Sequence, residues 1–158
     1  MRDNIETNTF NAKEEKISIN EDINEILRGE ISAFEAYEQV IENVDDDPEA
    51  KRLIDFKRDH KKAIDYWKRQ AKKMGTVPET TSSVWGVAVE SFVGVSKVLG
   101  EANALRALKT GEEHGLSHYK KMLKSEKLTD FQKKEIADSL IPQQKSHIES
   151  IDAMLRMS

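Results

Sequence analysis

Apolar residues recur at spacings of three and four along four long stretches of this chain of 158 residues, which makes helices its natural regular structure. The first stretch runs from about Glu21 to Val44, with Ile23, Ile26, Leu27, Phe34, Tyr37, Ile41 and Val44 on one face. The second, from about Pro48 to Met74, aligns Leu53, Phe56, Ile64, Trp67 and Met74. The third, about Glu101 to Lys124, aligns Leu105, Leu108, Tyr119, Met122 and Leu123. The fourth, about Phe131 to Leu155, aligns Ile136, Leu140, Ile151 and Met154. A shorter segment, about Val84 to Leu99, carries a broader apolar face that includes Trp85, Phe92 and Leu99. No run alternates with period two over strand length, so no sheet is expected.

Local signals mark the ends. Asn20 is a plausible N-cap, Asp47 can cap a helix that has Pro48 at its first position, and Thr129 with Gln132 resembles a capping box. Pro142 predicts a kink in the fourth helix unless packing compensates. Residues 1–19 are polar and without period and read as a flexible tail, with residues 20–158 as a single domain. Two short hairpins joined by a longer connection imply an all-α antiparallel four-helix bundle, with a long crossover containing a fifth helix.

Composition narrows the partners. Charged residues make up 34% of the chain, as in long helices with wide wet faces, and the net charge of -4 is spread without a basic footprint for nucleic acid. There is no cysteine, hence no disulfide framework and no thiolate chemistry. The N-terminal segment MRDNIETNTFNAKEEKISIN lacks an apolar core, so no signal peptide is expected. The segment VWGVAVESFVGVSKVLG is broken by Glu90, Ser91, Ser96 and Lys97 and does not read as a membrane span. A cytoplasmic protein is expected. The broad face of the fifth helix exceeds the needs of one bundle groove, which points to a homo-oligomer, a dimer or higher, built through the crossover helix.

The two hairpins resemble each other. GEISAFEAY, Gly29 to Tyr37, and GEEHGLSHY, Gly111 to Tyr119, share a Gly-Glu pair with Tyr seven residues after the glutamate. His60 and His147 each open the pattern H-x-x-x-I-D. Glu30 falls between Leu27 and Phe34 on its apolar stripe, His60 between Phe56 and Ile64, and His147 between Leu140 and Ile151. Each helix of the bundle therefore offers one inward polar group: Glu30, His60, Glu112 and His147. A glycine inside a helix costs roughly 1 kcal/mol relative to alanine. Its placement before both glutamates suggests close backbone approach there.

Carboxylate oxygen and imidazole nitrogen from opposed helices suit Fe, Mn or Zn. With these residues in this order, the chain resembles the ferritin-like superfamily over roughly residues 20 to 156. More closely it resembles a bacterial family of ferritin-like four-helix-bundle proteins catalogued only as a domain of unknown function. The paired GE…Y segments, RDHKKAIDYW and QQKSHIESIDAML carry the likeness. The resemblance implies a di-metal centre in which a lone glutamate comes from two helices and Glu-x-x-His from the other two. Glu30 and Glu112 match the lone glutamates and His60 and His147 the histidines. The expected carboxylates three residues before the histidines are replaced by Lys57 and Gln144. A protonated lysine repels a metal, and a glutamine is a weak neutral ligand.

Two-metal oxygen chemistry is therefore not the expectation. One reading places a single Zn or Fe ion among Glu30, His60, Glu112 and His147. Another is a metal-free relic in which Lys57 pairs with Glu30 or Glu112 and the histidines complete a polar network. Both belong to a non-catalytic bundle, structural or stress-associated; the alternative is a ferritin-like metal-dependent oxidoreductase or iron-handling protein. Among other features, His114 and His118 are spaced for chelation but lie off the apolar stripe and read as a solvated face. Tyr37 and Tyr119 read as core residues whose hydroxyls reach a polar network, and Trp67 and Trp85 as packing. KRQAKK, Lys68 to Lys73, reads as a basic helix end favoured by the dipole.

Overall fold

A computed structural model describes residues 2–42, 48–81 and 100–157. Helices α1 (Arg2–Ile41), α2 (Pro48–Lys73) and α3 (Glu101–Met122) are followed by α4 (Asp130–Glu135), one turn of π-helix over Ile136–Leu140, and α5 (Ile141–Met157). The last three run in series as the fourth rod of the bundle, and no strand occurs among the described residues. The crossover helix expected near Val84 to Leu99, Trp85 within it, the oligomer surface assigned to it, and Val44 and Asp47 lie outside the described residues.

α1 packs along α2, α3 along α5, and α1 also meets α3. Two apolar clusters fix the directions. One joins Ile23, Leu27, Ile64, Trp67, Met122 and Ile136; the other joins Val40, Leu53, Leu105, Leu108, Ile151 and Met154. Residue numbers rise toward the second cluster on α1 and α5 and fall toward it on α2 and α3. Hence α1 is antiparallel to α2 and to α3, and the connection from α2 to α3 joins opposite ends of the bundle. This is the topology with one long crossover. On all four rods the inward polar residue sits between the clusters: Glu30, His60, Glu112 and His147 form a layer across the middle of the core.

Three local details qualify the sequence reading. α1 begins at Arg2, so the segment expected as a flexible tail is helical and Asn20 caps nothing. No glycine or proline precedes Gly29, so nothing in the sequence interrupts the helix on that side. Thr129 and Gln132 form the expected capping box. Pro142 is accommodated by the π turn: Ile141 N–H bonds to the carbonyl of Ile136, five residues back. The wider turn absorbs the proline, which has no N–H to return to Asp138.

Candidate metal centre

The four inward groups are buried, at 6% relative exposure for Glu30, 4% for His60, 2% for Glu112 and 3% for His147. They are joined directly. His60 Nδ1 lies 2.7 Å from Glu30 Oε2, and His60 Nε2 lies 3.0 Å from Glu112 Oε1. His147 Nδ1 lies 3.0 Å from the same Glu112 Oε1. A carboxylate only accepts hydrogen bonds, and neutral imidazole has one donor, so an imidazolium is what satisfies both sides of His60. Burial alone would lower its pKa, but Glu112 and Glu30 more than reverse that and raise it to about 10. Burial likewise opposes the ionised Glu112, yet His60 and His147 hold its carboxyl well below the usual range.

The tyrosines complete the layer by crossing between the repeats. Tyr37 donates to Glu112 Oε1 at 2.5 Å, and Tyr119 donates to Glu30 Oε1 at 2.5 Å. Because α1 and α3 are antiparallel, a tyrosine two turns beyond one glutamate stands level with the glutamate of the other helix. Burial, reinforced by the facing glutamate, pushes both phenols well above their usual range, so they remain donors. Trp67 Nε1 donates to Tyr119 Oη at 3.2 Å, which extends the network beyond the packing role read from sequence. Phe56 stacks on the His147 ring at a centroid distance of 4.2 Å and sets its plane.

Asp59, which the sequence reading did not select, belongs to the site: its Oδ2 lies 3.4 Å from His147 Nε2. It adjoins His60 but sits off the apolar stripe, at the seam between α2 and α5, so periodicity gives no sign of it. Each histidine thus has one ring nitrogen on Glu112 and the other on a second carboxylate, Glu30 for His60 and Asp59 for His147. Ligand atoms of His60, Glu112 and His147 all lie within 4.8 Å of one another. Glu112 is lopsided: its Oε1 meets three partners while its buried Oε2 meets none.

Lys57 does not enter this layer. Its Nζ pairs with Glu38 Oε1 at 3.0 Å and lies over the Phe34 ring at 5.0 Å, on the half-exposed seam of α1 and α2. A long side chain reaches past the site to solvent, so the positive charge assigned to Lys57 is supplied by His60. Lys57→Met is accordingly expected to change stability by less than about 1 kcal/mol. Urea denaturation checks this, and a loss of several kcal/mol would return Lys57 to the core network. Gln144 does lie at the site, buried, with its Oε1 unpartnered, and Gly115 makes the room its amide occupies.

The other expectations are corrected by neighbours. Gly29 and Gly111 are not at close approaches, since a Cβ on either would meet nothing within 4 Å. Both face a cleft of about 480 Å³ between α1 and α3, whose floor includes Glu30, Glu112 and Gln144. His118 is not on a solvated face: it is half-buried at that cleft, with Nδ1 3.6 Å from Glu25 Oε1. No helix among the described residues is long and apolar enough to cross a membrane.

Residues 18–125 match the family described as Domain of unknown function (DUF2383). A crystal structure of a ferritin-like, diiron-carboxylate protein from Bacillus anthracis str. Ames has a similar fold, with a TM-score of 0.65 and 20% identity, covering 89% of this chain and 97% of that one. At that identity the likeness establishes the ferritin-like fold. No curated protein matches the chain.

Proposed function

We propose that this chain, which belongs to the family described as Domain of unknown function (DUF2383), is a non-catalytic ferritin-like bundle whose core takes up one divalent transition ion, Zn or Fe. The observation that carries this reading is the convergence of His60 Nε2 and His147 Nδ1 on Glu112 Oε1, each at 3.0 Å, beside the unpartnered Glu112 Oε2. Two imidazole nitrogens and a carboxylate suit either metal. Donors 3.0 Å apart match the spacing that metal–ligand bonds of about 2.1 Å at right angles produce, as in octahedral coordination, and tetrahedral Zn would widen it to about 3.4 Å.

The remaining groups fit roles around that centre. Glu30 and Asp59 each stand behind the outer nitrogen of one histidine, where a carboxylate fixes the ring and its tautomer. Glu30 is then an orienting group for His60. Tyr37 and Tyr119 hold the two glutamates in place. A bound ion would replace the His60 proton as the counter-charge and cross-link α2, α3 and α5. Two-metal chemistry lacks its bridging carboxylates, because Lys57 is turned to Glu38 and Gln144 is neutral.

A second reading, an iron-handling protein or metal-dependent oxidoreductase, draws on the diiron-carboxylate description of the structural neighbour. One experiment separates the two. Protein purified without chelator or histidine tag is expected to hold one ion per chain, and the Glu112→Gln variant to lose it. Sub-stoichiometric metal in the wild type, unchanged in a Glu30→Ala/His147→Ala variant, would remove the one-ion site. Two ions per chain, with a diferric absorption band after Fe(II) and oxygen, would install the second reading instead.

A further inference from the structure

Gly29 and Gly111 pose a question that the ion site leaves open. Both lie inside long helices, where glycine weakens the element. Neither needs a glycine conformation, since the positive-φ glycines among the described residues are Gly75 and Gly100. Neither makes room for a neighbour among the described residues, since a Cβ on either would meet none of their atoms within 4 Å. What the two glycines keep open is the cleft between α1 and α3, about 480 Å³ in volume, a size typical of sites for small molecules.

The floor and walls of the cleft define what would fill it. Glu112 Oε2 and Gln144 Oε1 are buried acceptors without a partner among the described residues, on side chains of residues 2% and 5% exposed. A buried acceptor calls for a donor. Glu25, Glu30 and Glu112 line the cleft, and no lysine or arginine does so among the described residues. Ala33, Ala36, Ala107 and Leu108 give the walls a small apolar stretch, beside the polar Ser32, Thr110, His114 and His118. A carboxylate head would bring only acceptors to Glu112 Oε2 and Gln144 Oε1, which need donors. A bare inorganic cation would leave the apolar walls unfilled.

We propose that the cleft between α1 and α3 binds a small amphipathic cation, a primary ammonium carried on a short aliphatic body. The ammonium has three donors, enough for Glu112 Oε2 and Gln144 Oε1 together. The aliphatic body lies along the alanines in the space the glycines leave. The proposal does not rest on the ion site, because the acceptors and the cleft belong to the ion-free protein. Since both ligands draw on the Glu112 carboxylate, ammonium and Zn(II) are expected to compete.

The test is calorimetric titration of the full chain, freed of metal, with n-hexylammonium, hexan-1-ol and hexanoate. Hexylammonium is expected to saturate at one per chain, hexanol to bind at least tenfold more weakly, and hexanoate not at all. Gly111→Leu places its Cβ where no atom of the described residues lies within 4 Å, extends into the cleft, and replaces a poor helix former with a good one. It is expected to melt at a higher temperature, to lose hexylammonium uptake and to keep one Zn(II) per chain. Gln144→Leu, which removes one acceptor, is expected to weaken hexylammonium at least tenfold. The proposal is overturned if hexylammonium fails to saturate, if hexanol binds as tightly, or if both variants bind hexylammonium as the wild type does. Failure of the ion site would appear separately, as loss of Zn(II) uptake by the wild type.

Discussion

Glu112→Ala is expected to lower the unfolding free energy of the ion-free protein by about 3–5 kcal/mol, the loss typical of breaking a buried ion pair from one side. The size follows from the number of groups left stranded. Glu112 Oε1 accepts from Tyr37 at 2.5 Å and from His60 and His147 at 3.0 Å each. Deleting it leaves two imidazoles and a phenol buried with a partner missing, and His60 as a cation held by Glu30 alone. Unfolding free energies of domains of this size are typically about 5–15 kcal/mol, so the variant stands near the edge of folding. Tyr37→Phe is the control, because it removes one donor and leaves Glu112 its other partners; a smaller loss of about 1.5–3 kcal/mol is expected. Urea denaturation of both variants at neutral pH decides the matter. Equal and small losses would mean that Glu112 is not the centre of the network.

The second large effect is on pH. His60 is raised from 6.5 to about 10, above its unfolded value, so its contribution to stability is whole below pH 6.5 and is lost as pH rises toward 10. At about 1.4 kcal/mol per pKa unit this amounts to as much as about 5 kcal/mol, most of it lost between roughly pH 7 and 10. Glu112 is shifted the other way, so its contribution is present above the ordinary carboxylate range and is lost as pH falls through the depressed value. The two describe the same contacts from opposite partners and are not to be added. Ion-free protein is therefore expected to be most stable between about pH 4.5 and 6.5 and to weaken steadily on the alkaline side. Thermal denaturation across that range in the presence of chelator reads it. A flat profile from pH 6.5 to 9 would show that His60 does not fold as the imidazolium.

The sequence carried the layer of four groups because a helical stripe is a local property. Glu30, His60, Glu112 and His147 each interrupt a run of apolar residues, and that interruption is visible without knowing any neighbour. What it did not carry depends on the partner helix. The tyrosines cross between repeats because α1 and α3 are antiparallel, so each serves the glutamate that is far from it in sequence. Asp59 joins His147 from an adjacent helix at a seam that no stripe marks. Lys57 was placed near the site by its Cβ, yet its length let the charge leave for Glu38. Glycine before both glutamates suggests close approach from sequence, and only the surrounding atoms of the described residues show open space instead. The start of α1 was misplaced for a different reason: polar residues 2–20 lack an apolar period, but helix needs only the absence of a breaker to continue.

Whether the core holds one ion or two is decided by anomalous scattering at the metal edge from crystals grown with Zn(II) or Fe(II). A single peak is expected, bonded to His60 Nε2, His147 Nδ1 and Glu112, with Glu30 and Asp59 on the outer ring nitrogens and Lys57 still on Glu38. Two peaks bridged by carboxylate, or no peak in this layer at saturating metal, would contradict it.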